Sequence, residues 1–265
     1  MYLILEEIAA ATRKRIEEDK ARIPFTIMKK KAEQQNTDRG FLFEKVLTGG
    51  DIHFICEVKK ASPSKGIIAD SFPYVDIAKE YEEAGASCVS VLTEPEFFQG
   101  SDKYLTEIKE AVNIPVLRKD FILDSYQIYQ SRVIGADCIL LICSLLEEKT
   151  IKEFIDLCDF LGLSALVEAH DEEEIDLAIS AGARMIGVNN RNLKTFEVDI
   201  DNSLRLRSLV PDEILFVAES GIRSDKDILA LRKAKVNAVL IGEALMKSPD
   251  KKKMIESLRG NYDQN

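Results

Sequence analysis

Residues 135–169 read GADCILLICSLLEEKTIKEFIDLCDFLGLSALVEA, and they hold one complete repeat of the chain's architecture. DCILLI (137–142) is a short apolar run with branched side chains, the mark of a strand buried on both faces. EEKTIKEFIDLCDFLG (147–162) spaces its apolar residues by three and four, as an amphipathic helix does. It ends at Gly162, where a helix C-terminus favours a residue that can turn left-handed. SALVEA (164–169) is again strand-like. A strand, a helical crossover and a second strand make a parallel pair.

The same unit recurs outward in both directions. Strand candidates are HFICEV, SCVSVL, IPVLRK, DCILLI, SALVEA, RMIGVN, ILFVAE and NAVLIG, with amphipathic stretches between them. Gly85, Gly135, Gly162 and Gly182 each close a helix just before a strand, and the phrases GASCVSV, GADCILL, GLSALVE and GARMIGV echo one another. Eight units spaced about 20 to 35 residues apart predict an α/β fold, a closed (β/α)8 TIM barrel. An open dinucleotide-binding sheet is disfavoured because no G-x-G-x-x-G follows the first strand. Residues 1–48 hold only helical patterns, broken at Pro24, and are expected to form an N-terminal helical extension within a single 1–265 barrel domain.

The 265-residue chain has 46% hydrophobic and 31% charged residues and a formal net charge of -10. The acidic balance excludes nucleic acid and anionic membrane as main partners, but not a small anion held by local cations. The runs Lys29–Lys31 and Lys251–Lys253 read as solvated helix faces. The start, MYLILEEIAAATRKRIEEDK, gains charge at once, unlike a signal peptide, and no apolar run approaches membrane-spanning length. Five cysteines, Cys56, Cys88, Cys138, Cys143 and Cys158, are an odd set largely inside apolar runs. They suit reduced core thiols in a cytoplasm. Only His53 and His170 are present, in no metal-ligand spacing, so no metal site is expected and Lys and Glu are left to move protons.

Barrel enzymes act at the carboxyl ends of their strands. Here those ends carry Glu57 and Lys59, Arg118-Lys119-Asp120, Glu168, Asn189-Asn190-Arg191, Glu219-Ser220-Gly221 and Gly242-Glu243; two blander ends carry Thr93 and Cys143. After Lys60 the chain dissolves into Ser, Pro and Gly. Alternation puts Leu117 with Lys119, and Leu166 with Glu168, on one face. The convergence of Lys59, Lys119 and Arg191 in an acidic protein suggests a substrate with more than one negative group. Ser62, Gly221 and Gly242 lie where backbone N–H groups can approach a phosphate.

EVKKASPSKG (57–66), VLTEPEFFQGS (91–101), LRKDFI (117–122), LVEAHDEEE (166–174), IGVNNRNL (186–193), VAESGI (217–222) and LIGEALM (240–246), in this order, resemble the indole-3-glycerol phosphate synthases of tryptophan biosynthesis. The resemblance spans almost the whole chain. It implies ring closure, decarboxylation and dehydration of 1-(2-carboxyphenylamino)-1-deoxyribulose 5-phosphate, without a cofactor, in a cytoplasmic monomer. By that resemblance Lys119 is the general acid, able to donate if burial or positive neighbours lower its pKa. Glu168 is the general base, and Lys59 holds the anthranilate carboxylate. Glu57 and Asn189 orient lysine and substrate hydroxyls, and Ser220 with Glu219 contacts substrate. Ser62, Arg191, Gly221, Gly242 and Glu243 form the phosphate end, and Phe98, Phe121 and Leu193 the wall against the aromatic ring. The resemblance also favours a lid over the substrate for the N-terminal helices, against the plainer reading that they close one barrel end. The rivals are a phosphoribosylanthranilate isomerase, which would be shorter and rely on Cys and Asp, and a barrel that binds a phosphorylated ligand without turnover.

Overall fold

The computed structural model describes residues 3–35, 40–192 and 197–260. Eight parallel strands close a barrel: β1 (His53–Val58), β2 (Cys88–Leu92), β3 (Val116–Lys119), β4 (Cys138–Ile142), β5 (Ser164–Ala169), β6 (Met185–Asn189), β7 (Leu215–Glu219) and β8 (Ala238–Ile241). Each strand pairs with its chain neighbours, and β8 returns to β1 with His53 opposite Ala238. This is the predicted (β/α)8 barrel, its strands within one or two residues of the apolar runs. The crossover helices are α4 (Tyr74–Glu83), α5 (Asp102–Ala111), α6 (Ser125–Ile134), α7 (Glu148–Leu161), α8 (Glu172–Ser180), α9 (Asp201–Arg207) and α10 (Asp225–Lys233). Two further helices, α11 (Glu243–Lys247) and α12 (Lys251–Arg259), follow β8. Gly135 and Gly162 cap α6 and α7 with φ of 95° and 69°, the left-handed turn the sequence pattern called for.

Alternation along the strands makes two cores. Ile55, Leu117, Leu140, Leu166, Val217 and Leu240 point into the barrel, whereas Phe54, Cys56, Val89, Val167 and Val239 pack outward beneath the helices. Continuing the inward rows towards the carboxyl ends brings up Glu57, Lys119, Glu168, Asn189 and Glu219. Arg118, one residue off that row, points the other way. Its buried guanidinium donates to Thr93 Oγ1 (3.1 Å), Gln127 O (3.2 Å), Ser131 Oγ (3.1 Å), Asp102 Oδ1 (3.0 Å) and Asp120 Oδ2 (3.1 Å). A charge so well matched in the interior knits strand to helices and takes no place at the mouth.

The N-terminal segment forms α1 (Leu3–Arg22), α2 (Phe25–Glu33) and α3 (Leu42–Val46). They reach both ends of the barrel. Helix α3 plugs the amino end of the barrel: Phe43 and Leu47 are fully buried among the inward core, and Glu44 Oε1 and Oε2 accept from Arg184 just ahead of β6, each at 3.0 Å. Helix α1 lies at the opposite end. Its Arg15 Nη2 donates to Asp120 Oδ1 (2.7 Å) at the tip of β3, and Ile4, Leu5 and Ile8 line the cavity there. Within the Ser/Pro/Gly loop after β1, Ala61–Ser62 pairs antiparallel with Gly66–Ile67.

Candidate active site

The carboxyl ends surround a cavity of about 460 Å³. Glu57, Lys59, Ser62, Phe98, Lys119, Phe121, Glu168 and Asn189 line it, together with Arg191, Glu219, Ser220, Gly221, Gly242 and Glu243. Thus every site residue expected from the sequence faces one space, apart from Leu193, which lies outside the described residues.

Five titratable side chains meet at the centre. Lys119 Nζ donates to Glu219 Oε2 at 2.9 Å and to Glu168 Oε2 at 3.2 Å. Lys59 donates to Glu57 Oε1 two residues before it. Burial would lower the pKa of Lys119, but Glu219, Glu168 and Glu57 outweigh it and hold Lys119 well above the ordinary lysine value. This corrects the expectation of a lowered lysine: the neighbours that count are carboxylates. Burial pushes the Glu219 carboxyl up, Lys119 pulls it back, and the charges of Glu168 and Glu57 leave it at about 7. For Glu168, burial is overcome by Lys119, His170 and a hydrogen bond from Asn189, so it stays below the usual carboxylate range. The two acids flanking one lysine are therefore pushed apart, Glu168 towards a standing base and Glu219 towards a proton holder at neutral pH.

The strand tips make room for these acids. A Cβ on Gly187 would collide with Glu219 Oε1, and one on Gly242 would come within 2.5 Å of Glu57 Oε1. Gly242 therefore has a packing reason for lacking a side chain besides any approach of a phosphate. At the tip of β7, Ser220 (φ 66°) and Gly221 (φ 84°) are both left-handed, and Asn190 Nδ2 donates to Ser220 O at 3.1 Å. A serine in that region is strained by about 1 kcal/mol, which fits a turn kept for its function.

The two ends of the cavity differ in chemistry. At one, the Phe98 and Phe121 rings stand with centroids 6.1 Å apart. Phe98 is held by Glu94, a buried carboxylate the sequence reading passed over, which accepts from the N–H groups of Glu96 (3.0 Å), Phe97 (2.7 Å) and Phe98 (3.0 Å). At the other, Arg191 Nη2 lies 3.9 Å from Glu243 Oε2, and Lys247 Nζ donates to Glu243 Oε1 at 2.7 Å. Lys247 and Arg223 also line the cavity and were not expected; Lys247 lies four residues after Glu243 on α11, a spacing that could have revealed it. Among the described residues no cluster of His, Cys, Asp and Glu is arranged to hold a metal ion, and no helix is long and apolar enough to cross a membrane.

Two solved structures share the fold at low identity: a thiamine phosphate pyrophosphorylase from Pyrococcus furiosus (TM-score 0.59, 16% identity, covering 78% of this chain and 93% of that one) and a 3-hexulose-6-phosphate synthase from Salmonella typhimurium (TM-score 0.63, 15% identity, 78% and 96%). Sequence relatives are much nearer. The chain is 59% identical over 259 residues to an indole-3-glycerol phosphate synthase of Ruminiclostridium cellulolyticum, covering 98% of this chain and all of that one. It is 54% identical over 268 residues to one of Lachnoclostridium phytofermentans, covering 97% and 99%. The profile of indole-3-glycerol phosphate synthase matches residues 5–258. The isomerase and the non-catalytic barrel fall away, and the chain belongs to the indole-3-glycerol phosphate synthase family.

Proposed function

We propose that the family's reaction runs in this cavity with Lys119 as general acid and Glu168 as general base. The observation that carries the assignment is Lys119 between Glu219 and Glu168, at 2.9 and 3.2 Å, in a cavity that both aromatic and cationic side chains line. Phe98 and Phe121, with Leu193, receive the anthranilate ring, and Lys59 takes its carboxylate. Ser62, Arg191, Gly221 and Gly242 hold the phosphate, while Glu243 keeps Arg191 and Lys247 in place.

The ring carbon bearing the carboxylate attacks the ketone carbon. Lys119 protonates the ketone oxygen as charge develops on it; a growing alkoxide is basic enough to take a proton even from a lysine whose pKa is raised. The carbon–carboxylate bond breaks and carbon dioxide leaves with ring aromaticity restored. The new hydroxyl then departs as water, protonated by Lys59, or by Lys119 once it is reprotonated; solvent replaces this second proton, the one proton that loss of carbon dioxide from a carboxylate consumes. Glu168 takes the proton from the neighbouring carbon, and the electron pair closes the indole double bond. Glu57, Asn189, Ser220 and Glu219 orient the lysines and the substrate hydroxyls.

The protein has no Trp, so product indole fluorescence is easy to follow. Carboxyphenylamino-deoxyribulose phosphate added in EDTA should give a saturable rise. Lys119→Ala and Glu168→Gln should each lower kcat by about 10²-fold or more with the fold intact; wild-type turnover in either would remove that role.

The same reading takes residues 1–265 as one folding unit, with 1–48 as its extension, in a cytoplasmic monomer. Five free, buried cysteines support a reducing compartment. Of the exposed large apolar side chains, Phe25 and Ile27 share α2, while Leu42, Ile67, Phe160 and Leu209 lie on separate segments, a scatter that supports a monomer. Sedimentation at two concentrations tests it.

A further inference from the structure

His170 stands immediately after β5, two residues beyond Glu168, and its ring is largely buried. Its backbone N–H donates to Glu174 Oε2 at 2.8 Å, and Nδ1 lies 3.0 Å from the same oxygen. An ionised carboxylate only accepts, so Nδ1 carries a proton whatever the charge of the ring. The other nitrogen, Nε2, is buried without a hydrogen-bond partner, and Glu168 Oε1 stands 3.5 Å from it. Glu168 Oε2 is the oxygen that meets Lys119. The two oxygens of the proposed base are thereby divided, one towards the acid and one towards the histidine.

We infer that His170 is a positioning residue for this reaction: its unpartnered Nε2–H closes on Glu168 Oε1 during turnover and reserves Oε2 for the substrate proton and for exchange with Lys119. The inference rests on the reading of Glu168 as general base. Since Nδ1 is committed to Glu174, Nε2 can donate only while the ring is an imidazolium; in the neutral ring a lone pair would face the carboxylate. Proton flow supports the arrangement. Lys119 donates to oxygen, Glu168 Oε2 gains a proton from carbon, and transfer from Oε2 to Nζ across 3.2 Å restores both groups, provided Oε1 is held and the carboxyl cannot rotate. His170 itself transfers nothing.

The surroundings favour the charged ring. Burial opposes it, but Glu174 on α8, Glu168 on β5 and Glu219 on β7 outweigh burial and raise His170 above the ordinary histidine value. Asp171 caps α8 and accepts from Glu174 N–H (3.0 Å), fixing the helix end on which Glu174 stands. Cys143, after β4, turns its thiol to Glu174 O, and burial keeps that thiol neutral. Lys119 lies beyond Glu168 and is the one cation facing the group among these neighbours. From α9, Asn202 Nδ2 donates to His170 O at 3.1 Å and holds the backbone.

The test combines pH profiles with imidazole NMR. His53 and His170 are the only histidines, and His53, bound to Ser87 and Gly49 O at the far end of β1, serves as an internal reference. The expected result is that His170 titrates above the ordinary histidine value, and that wild-type kcat has an alkaline limb at the His170 midpoint. His170→Ala should lower kcat roughly 10-fold or more with KM within about two-fold. His170→Gln, whose amide donates at every pH, should restore most of kcat and erase that limb. Glu174→Gln, which keeps an acceptor but removes the charge, should move the midpoint and the limb down together. Wild-type kcat and an unchanged limb in folded His170→Ala would overturn the proposal, as would a neutral His170 at pH 7. Glu168→Gln run alongside separates the two readings: an inactive Glu168→Gln with a wild-type His170→Ala leaves the base and removes the positioning role, whereas an active Glu168→Gln removes both.

Discussion

Glu219 shows how a single carboxyl in the active site opposes stability. Its folded pKa, about 7, lies above the ordinary 4.5, so the folded state binds the proton more tightly than the unfolded chain does. Its contribution is therefore favourable at acid pH and declines as pH rises from about 4.5 to about 7. Glu219→Gln should gain stability over wild type, of order 1 kcal/mol, at pH 8 and much less at pH 4.5, while kcat falls because Lys119 loses its closest partner. Thermal melts of both proteins at the two pH values check it. Gly242 makes a second case. Gly242→Ala keeps a negative φ (-122°) but drives a methyl against Glu57 Oε1 and Cβ. Displacing Glu57 should free Lys59 and reduce kcat about tenfold, beyond any change in phosphate affinity; comparing kcat with the inhibition constant of inorganic phosphate separates the two effects.

At the scale of elements, the contact between α1 and the tip of β3 is the joint to probe. Asp120 follows Lys119 directly, and its carboxylate takes hydrogen bonds from Arg15 (2.7 Å), Thr93 (2.7 Å), Arg118 (3.1 Å) and its neighbour Phe121 N–H (2.8 Å). Burial would raise Asp120, but Arg15 and Arg118 hold it below the usual range, so it favours folding above the unfolded carboxyl value and loses that contribution as pH falls. Arg15→Ala removes the one partner on α1 while Arg118 still balances Asp120. The helix should then dock less firmly, with KM rising several-fold and the melting temperature changing little. Titrating substrate against this variant checks it, and a large melting loss with unchanged KM would make α1 plain packing.

Across the whole molecule, the N-terminal segment acts at both ends of the barrel. Phe43 and Leu47 fill the floor among residues contributed by several strands. Phe43→Ala should cost about 3–5 kcal/mol, with KM little altered because the floor lies at the far end of the strands from the cavity. Calorimetry with steady-state kinetics on the same sample reads both quantities. The cavity-side contacts of α1 and the plug of Phe43 and Leu47 thus lie on different parts of one segment, so single substitutions test them separately.

What was legible in the sequence was what chain-local rules govern. The period of two along each strand told which residues share a face, so Lys119 with Leu117 and Glu168 with Leu166 could be placed at the mouth before any coordinates. Left-handed glycines after helices marked the units, and their number closed the barrel. The tertiary structure decided whatever depends on distances between strand tips. Lys119 and Glu219 are 100 residues apart in the chain, and only their approach reverses the expected direction of the lysine's pKa. The burial of Arg118, the collision that keeps Gly242 bare and the facing of His170 to Glu168 are likewise set by which side chains the closed barrel brings within a few ångströms. Electrostatics and packing act through space, and a linear pattern records only neighbours along the chain.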